Sequence, residues 1–337
     1  MVEFFKTIDG RITEINEFSE GCWVNMVHPS SDELAQIAKA AEVEEEFVRA
    51  ALDPEESSRV DTEDEQLLMI VDIPMVEKSS VEDGGQMFTT IPMGIVVAQN
   101  AVITVCLEDS IILRSIAEGA VKGVHTSLKT RFVFQILLRI AGRFLKNLRM
   151  IERDFTRIEK RLYDSLKNEE LIQLLGLSKS LVYFSSSLKG NEVTMEKVLR
   201  GRVLKLYEDD RDILEDALIE VRQAIEMANI YSNIMAGTMD AYASVVSNNL
   251  NIIMKVLTIL SIIMTIPNIV FGFFGMNIGE GRIPGDWVWW MPLAITVVGC
   301  FFAWWMLKKK VNTLWIILVI FVVGILGYFT GILGYVG

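Results

Sequence analysis

The sequence predicts an α+β membrane protein: an α/β domain first, then a long helical stalk, then apolar helices. Three observations carry this. Of 337 residues 51% are hydrophobic, yet the net charge is −12, because acids crowd the first two thirds and apolar residues the last quarter. Short β-rich runs separated by turn signals fill the first part of the chain. Beyond them no proline occurs from Met93 to Ile266, and three apolar stretches of bilayer-spanning length close the chain. The expected division is residues 1–120 as an α/β domain, 121–250 as a helical and stalk region, 251–310 as a transmembrane region with two spans, and 311–337 as a third span or tail.

In the first part, "FFKTIDGRITEI" reads as a hairpin turning at Asp9-Gly10, and "GCWVNMV", "QLLMIVDIP" and "GIVVAQNAVITVCLE" supply further strands, the last broken by a Gln99-Asn100 turn. Ser30 and Glu33 form a capping box that opens the helix "DELAQIAKAAEV". A partly antiparallel sheet is expected. The N-terminus has no basic stretch followed by an apolar core, so no secretory signal is read there and the domain is expected in the cytosol. Cys22, Cys106 and Cys300 are far apart, which argues against a disulfide framework and against a thiolate metal site. The acidic balance disfavours nucleic acid and favours cations as partners.

Apolar residues recur at helical spacing through "FVFQILLRIAGRFLKNLRMIERDFTRIEKRL" and again from Met195 onward, which implies long antiparallel helices. The second of these carries Leu214, Leu218, Val221, Ile225, Ala228, Ser232, Met235, Met239, Tyr242 and Val246, alternating steps of four and three. Such a seam reads as a coiled-coil contact that holds an assembly together. It runs without a breaker into the first apolar stretch.

The apolar stretches are Ile252 to Phe274, Trp287 to Leu307 and Leu314 to Val336. Each can cross a bilayer as a helix. Lys255 and the run Lys308, Lys309, Lys310 mark the cytoplasmic side, so the loop after Phe274 lies outside. Four glycines at steps of three or four in the last stretch allow close helix packing, or else a re-entrant tail.

Along the first stretch, steps of three and four from Asn251 give Met254, Leu257 or Thr258, Ser261, Thr265, Asn268, Gly272 and Gly275. Nearly all the polar and small residues of the segment fall on this stripe, and its other faces are Ile, Val, Leu, Met and Phe. Close helix packing gives one reading. A pore lined by several copies gives another, because two amides facing lipid serve no purpose on a lone helix. At the outer end stands "FFGMNIG". Mg²⁺ gives up its waters reluctantly. A ring of neutral carboxamide and carbonyl oxygens can accept hydrogen bonds from that hydration shell and still release the ion.

Phe274-Gly275-Met276-Asn277 at the end of a first span, with "LKKK" after a second, resembles the signature of the CorA family of magnesium channels, with Phe where Tyr is usual. The resemblance covers residues 1 to about 310. It implies a funnel-shaped homopentamer in the cytoplasmic membrane that takes up Mg²⁺, with Co²⁺ and Ni²⁺ as further cargo. Gly275, Met276 and Asn277 then ring the outer mouth, Met254 and Leu257 form hydrophobic constrictions, Asn251 a polar ring below them, and Lys308, Lys309 and Lys310 a basic collar. Mg²⁺ is cargo and also a regulatory ion, sensed through Asp216, with Asp212 and Asp53 as further candidates, and no cofactor is implied. Pro267 stands one residue nearer the motif than expected, and Arg49-Ala50 stand where relatives can carry an acidic pair.

No GxxxxGK phosphate loop is present, so ATP-driven pumping is not expected, nor is the chain expected to be an enzyme. Two rivals stand beside the channel. One is a zinc transporter of the ZntB branch, for which His or Cys would be expected along the route. The other is a membrane-tethered oligomeric scaffold that transports nothing, in which the acids of residues 208–216 are a solvated helix face.

Overall fold

A computed structural model describes residues 1–63, 66–77, 87–165, 168–201, 207–275, 287–308 and 322. The chain forms two compact units, Met1–Met239 and Asp240–Gly337.

In the first unit, β1 (Val2–Ile8) and β2 (Arg11–Ile15) form the expected hairpin. Asp9 and Gly10 both take positive φ, 50° and 76°, as a tight two-residue turn between twisted strands requires. With β3 (Cys22–Val27), β4 (Arg59–Glu63), β5 (Gln66–Val76), β6 (Phe88–Val97) and β7 (Ala101–Cys106) they make a seven-stranded sheet of order β2-β1-β3-β7-β6-β5-β4. β3 pairs with β7 in parallel, and the other pairs are antiparallel. The central β7 is buried at all six positions, as a strand covered on both faces must be.

One face of the sheet is covered by α1 (Ser31–Ala41), α2 (Glu45–Arg49) and a 3-10 turn at Ala50–Leu52. Leu34, Ile37, Val48 and Ala51 share a core there with Val24, Ile70, Val96 and Ile103. The capping box is formed: Glu33 N–H donates to Ser30 Oγ at 3.3 Å, and Ser30 N–H to the Glu33 carboxylate at 2.8 Å. Gly94 on β6 allows this layer to sit close, since a Cβ there would lie 2.8 Å from the Ala51 methyl.

α3 (Ile111–Ala117) leads to α4 (Lys129–Ser165) and α5 (Asn168–Arg200), which cover the opposite face. Trp23 lies between Phe5 and Phe132 and donates its indole N–H to Thr104 Oγ1 at 2.9 Å. Phe184 of α5 meets both Phe88 of the sheet and Phe144 of α4. The helix read from Met195 onward is in fact two. Met195 belongs to α5, which ends at Arg200, where Gly201 N–H closes the last turn on Lys197 O at 2.7 Å. α6 then runs from Glu208 to Gly275.

The apolar seam of α6 is used within one subunit. Leu214, Leu218, Val221, Ala228 and Met235 are buried in the isolated chain. Along this part α6 is tied to its own α4 and α5: Arg222 pairs with Glu192 at 2.7 Å, Ser185 donates to Asn229 at 3.3 Å, and Tyr231 donates to Glu152 at 2.8 Å. From Leu214 to Met235 the expectation that this seam holds copies together is therefore corrected, because the subunit's own helices already remove that part from water, while Met239 and Val246 of the same seam stay half-exposed.

In the second unit, the end of α6 packs against α7 (Trp287–Lys308). Among the described residues α6 is the one helix long and apolar enough to cross a membrane, and in α7 the described apolar stretch is Pro292–Trp305. The expected third span lies outside the described residues apart from Val322.

Candidate ion pathway

The membrane-length part of α6 has two unlike faces. Ile259, Ile262, Ile263, Ile266 and Val270 are covered or half-covered, and Ile266 is 8% exposed. This face meets α7: a Cβ on Gly299 would stand 3.1 Å from Ile266 Cγ2, and Cys300 Sγ lies 3.8 Å from Ile263 O. On the other side, Asn251, Met254, Leu257, Ser261, Thr265, Asn268 and Gly272 are exposed, and Thr258 is half-buried. The stripe read from the sequence is thus left uncovered by α7, and a Cβ on Gly272 would meet nothing within 4 Å.

Hydroxyls along the stripe are satisfied by their own helix. Thr258 donates to Met254 O at 2.7 Å, Ser261 to Leu257 O at 2.9 Å and Thr265 to Ser261 O at 2.7 Å. With each proton directed back at a carbonyl, the oxygen lone pairs remain available outward as acceptors for water. Outside the face that meets α7, large apolar residues of this segment are exposed as well, among them Leu260, Ile269 and Met264, the last at 63%. A helix so apolar and so little covered needs lipid or further copies around it.

The stripe is longer than the sequence reading made it. Continued back from Asn251 by the same steps of four and three, it takes in Ser247, Ser244 and Asp240, all exposed. These three lie upstream of the apolar boundary at Ile252, where a polar residue on a stalk helix does not stand out from its neighbours. Gly275 ends α6, while Met276 and Asn277 lie outside the described residues. Lys308 ends α7 with its ammonium 5.2 Å from the ring of Trp304, and Lys309 and Lys310 lie outside the described residues.

The candidate regulatory acids are in the first unit. Asp212 and Asp216 are exposed on α6, and Asp53 is exposed after the 3-10 turn, accepting from Glu55 N–H at 3.0 Å. Among the described residues of one chain, no group of three or more His, Cys, Asp or Glu is gathered as a metal site. Asp216 does have an acidic neighbour. Glu220, one turn on, lies over Gly142 of α4, and burial and then the Asp216 charge push its carboxyl above the usual range, against the pull of Arg139 and Arg149. Arg49 is engaged by Glu45 at 2.5 Å, one turn back on its own helix.

A family described as "CorA-like Mg2+ transporter protein" matches residues 18–309. The chain belongs to the CorA family. Its CorA relatives include the cobalt/magnesium transport protein CorA of Methanocaldococcus jannaschii, 26% identical over 286 residues, which are 82% of this chain and 86% of the relative. The protein of the same name from Thermotoga maritima is 31% identical over 132 residues, 36% of this chain and 37% of that one. Among solved structures, the complete CorA magnesium transporter of M. jannaschii superposes with a TM-score of 0.79 at 22% identity, covering 92% of this chain and 98% of that one. The cytoplasmic domain of ZntB from Vibrio parahaemolyticus gives 0.57 at 16% identity, covering 73% and 98%. At these identities the likeness is one of fold. The CorA fold accounts for the α/β domain followed by a long helix.

Proposed function

We propose that this CorA protein is a passive, gated channel for Mg²⁺, with Co²⁺ and Ni²⁺ as further cargo, built as a homopentamer around α6 in the cytoplasmic membrane. One observation carries the reading: polar and small residues recur from Asp240 to Gly272 on the face of α6 that α7 leaves open. Five copies turned with that face inward make a pathway whose hydroxyl and amide oxygens accept from the waters of a hydrated ion. Asp240 gives its cytoplasmic end a ring of negative charge that draws cations. Met254 and Leu257 supply a constriction that closes by excluding water. Gly275, Met276 and Asn277 form the outer mouth, where a neutral ring holds a hydrated ion without trapping it. Lys308, Lys309 and Lys310 collar the stalk at the inner surface, and α7 and the tail beyond it are the second and third crossings.

The driving force requires no nucleotide. A divalent ion moving down about 100 mV gains roughly 4.6 kcal/mol, about three decades of accumulation. Asp216, with Asp212 and Asp53, bears on regulation: carboxylates brought together between copies repel, and Mg²⁺ bound there favours the closed arrangement.

The zinc reading within the fold finds no His or Cys on the stripe, since Cys300 lies on α7 against the opposite face. Purified full-length protein in liposomes decides among the readings. Mg²⁺ influx that follows an imposed inside-negative potential, exceeds Zn²⁺ influx and needs no nucleotide is the expected result. Zinc flux without magnesium flux favours the ZntB-like alternative, and no flux of either ion leaves the scaffold.

A further inference from the structure

We propose that Cys300 is a positioning residue for the conduction helix: its thiol supplies the hydrogen bond that Pro267 takes away, so α7 steadies α6 at its weakest turn. The inference rests on the reading of α6 as the conduction helix. Proline has no amide N–H, so the carbonyl of Ile263, four residues before Pro267, loses its helical donor. In an apolar surrounding an unpaired carbonyl is costly and a donor must come from elsewhere. Cys300 Sγ donates to Ile263 O at 3.8 Å across the α6–α7 contact.

The neighbours of Cys300 make that approach possible. Gly299 has no side chain to hold the helices apart, and a Cβ there would press to 3.1 Å from Ile266 Cγ2. Ala303, four residues on, is completely buried. Gly299 and Ala303 thus give α7 the small-residue spacing by which helix backbones come together in lipid. The hydroxyls of Thr258, Ser261 and Thr265 serve other carbonyls on the same helix, and none of them serves Ile263.

The thiol lies on the face opposite the stripe, so it does not meet the ion and acts through the backbone. Because an S–H donor is weak, the contact can break and re-form as α6 bends. It therefore biases how readily the helix conducts and leaves ion choice to the stripe and the mouth.

A double-mutant cycle on the full-length protein tests this, with Mg²⁺ and Co²⁺ influx into liposomes measured alongside infrared spectra. The Cys300 S–H band is isolated as the difference between wild type and Cys300→Ser. It is expected at the lower frequency of a bonded thiol in wild type, and at the free position in Pro267→Ala, where the restored amide reclaims Ile263 O. Cys300→Ala should change Mg²⁺ influx roughly two- to fivefold in the wild-type background and leave it unchanged in the Pro267→Ala background, with the Mg²⁺ to Co²⁺ ratio constant. Cys300→Ser keeps a donor and should conduct as wild type does. A free-thiol band in wild type, or an equal effect of Cys300→Ala in both backgrounds, overturns the proposal. If the wild type carries no Mg²⁺ the transport reading has failed, and the band alone then decides the contact.

Discussion

Asn191 on α5 completes the backbone ladder of Asp72 on β5 as a neighbouring strand would. Its carboxamide oxygen accepts from Asp72 N–H at 2.8 Å, and its nitrogen donates to Asp72 O at 2.8 Å. The need arises because β4 pairs with β5 only as far as Arg59 opposite Ile70. Ser58, just before β4, donates to the same oxygen at 3.2 Å. Helix and sheet are joined through one fully buried side chain.

Asn191→Ala leaves a backbone donor and acceptor without partners, and the expected cost is about 2 kcal/mol. Denaturant unfolding of the full-length protein in detergent, followed by a probe in the α/β domain, reads this as a lower midpoint. A variant as stable as wild type would show that water replaces the amide.

Asp72 itself makes stability depend on pH. Burial raises its carboxyl above the ordinary aspartate value, against a smaller lowering by the Ser187 hydroxyl. In the unfolded chain it ionises near pH 4, and in the folded domain later. Rising pH through that window therefore costs stability, and the penalty stays in place above the folded value. Asp72→Asn should raise the unfolding midpoint at pH 7, with the gain shrinking towards pH 4. A gain that is the same at both pH values counts against the carboxyl as its source.

At the outer mouth, Asn277→Ala and Asn277→Asp should each abolish selective Mg²⁺ uptake and leave the oligomer intact. Alanine removes the acceptor and aspartate adds a ring of charge, and neither touches the helices of the α/β unit. A Mg²⁺-dependent growth assay checks uptake, and native mass measurement checks the oligomer. Wild-type growth with both variants would remove Asn277 from the mouth.

For regulation, Asp216→Asn should weaken the inhibition of Mg²⁺ currents by internal Mg²⁺. The charge that the ion neutralises between copies is then already gone. Currents from wild-type channels that do not change between zero and high millimolar internal Mg²⁺ would end the regulatory role.

The last stretch, Leu314 to Val336, should cross the membrane and leave the C-terminus outside, because it carries no charge and follows Lys308 to Lys310. A cysteine at Gly337 is expected to react with a membrane-impermeant thiol reagent on intact cells. Protection until the membrane is opened would favour a re-entrant tail.

The sequence alone determined what depends on neighbours in the chain. The Asp9-Gly10 hairpin, the Ser30-Glu33 capping box, the Gln99-Asn100 turn and the stripe on α6 all rest on local periodicity and turn chemistry, and the structure carries each of them. The short β4 and α2 carry too little pattern to be read, and the apolar periodicity continues across Gly201, where α5 ends, so that it does not mark the break before α6. Tertiary structure decided which face of α6 meets what. The seam from Leu214 to Met235 has the spacing of a coiled coil, yet α4 and α5 of the same chain cover it. Spacing specifies an apolar face and says nothing of its partner. For the same reason Pro267, which in the sequence only stands one residue nearer the motif than expected, means in the structure a carbonyl of Ile263 with the thiol of Cys300 upon it.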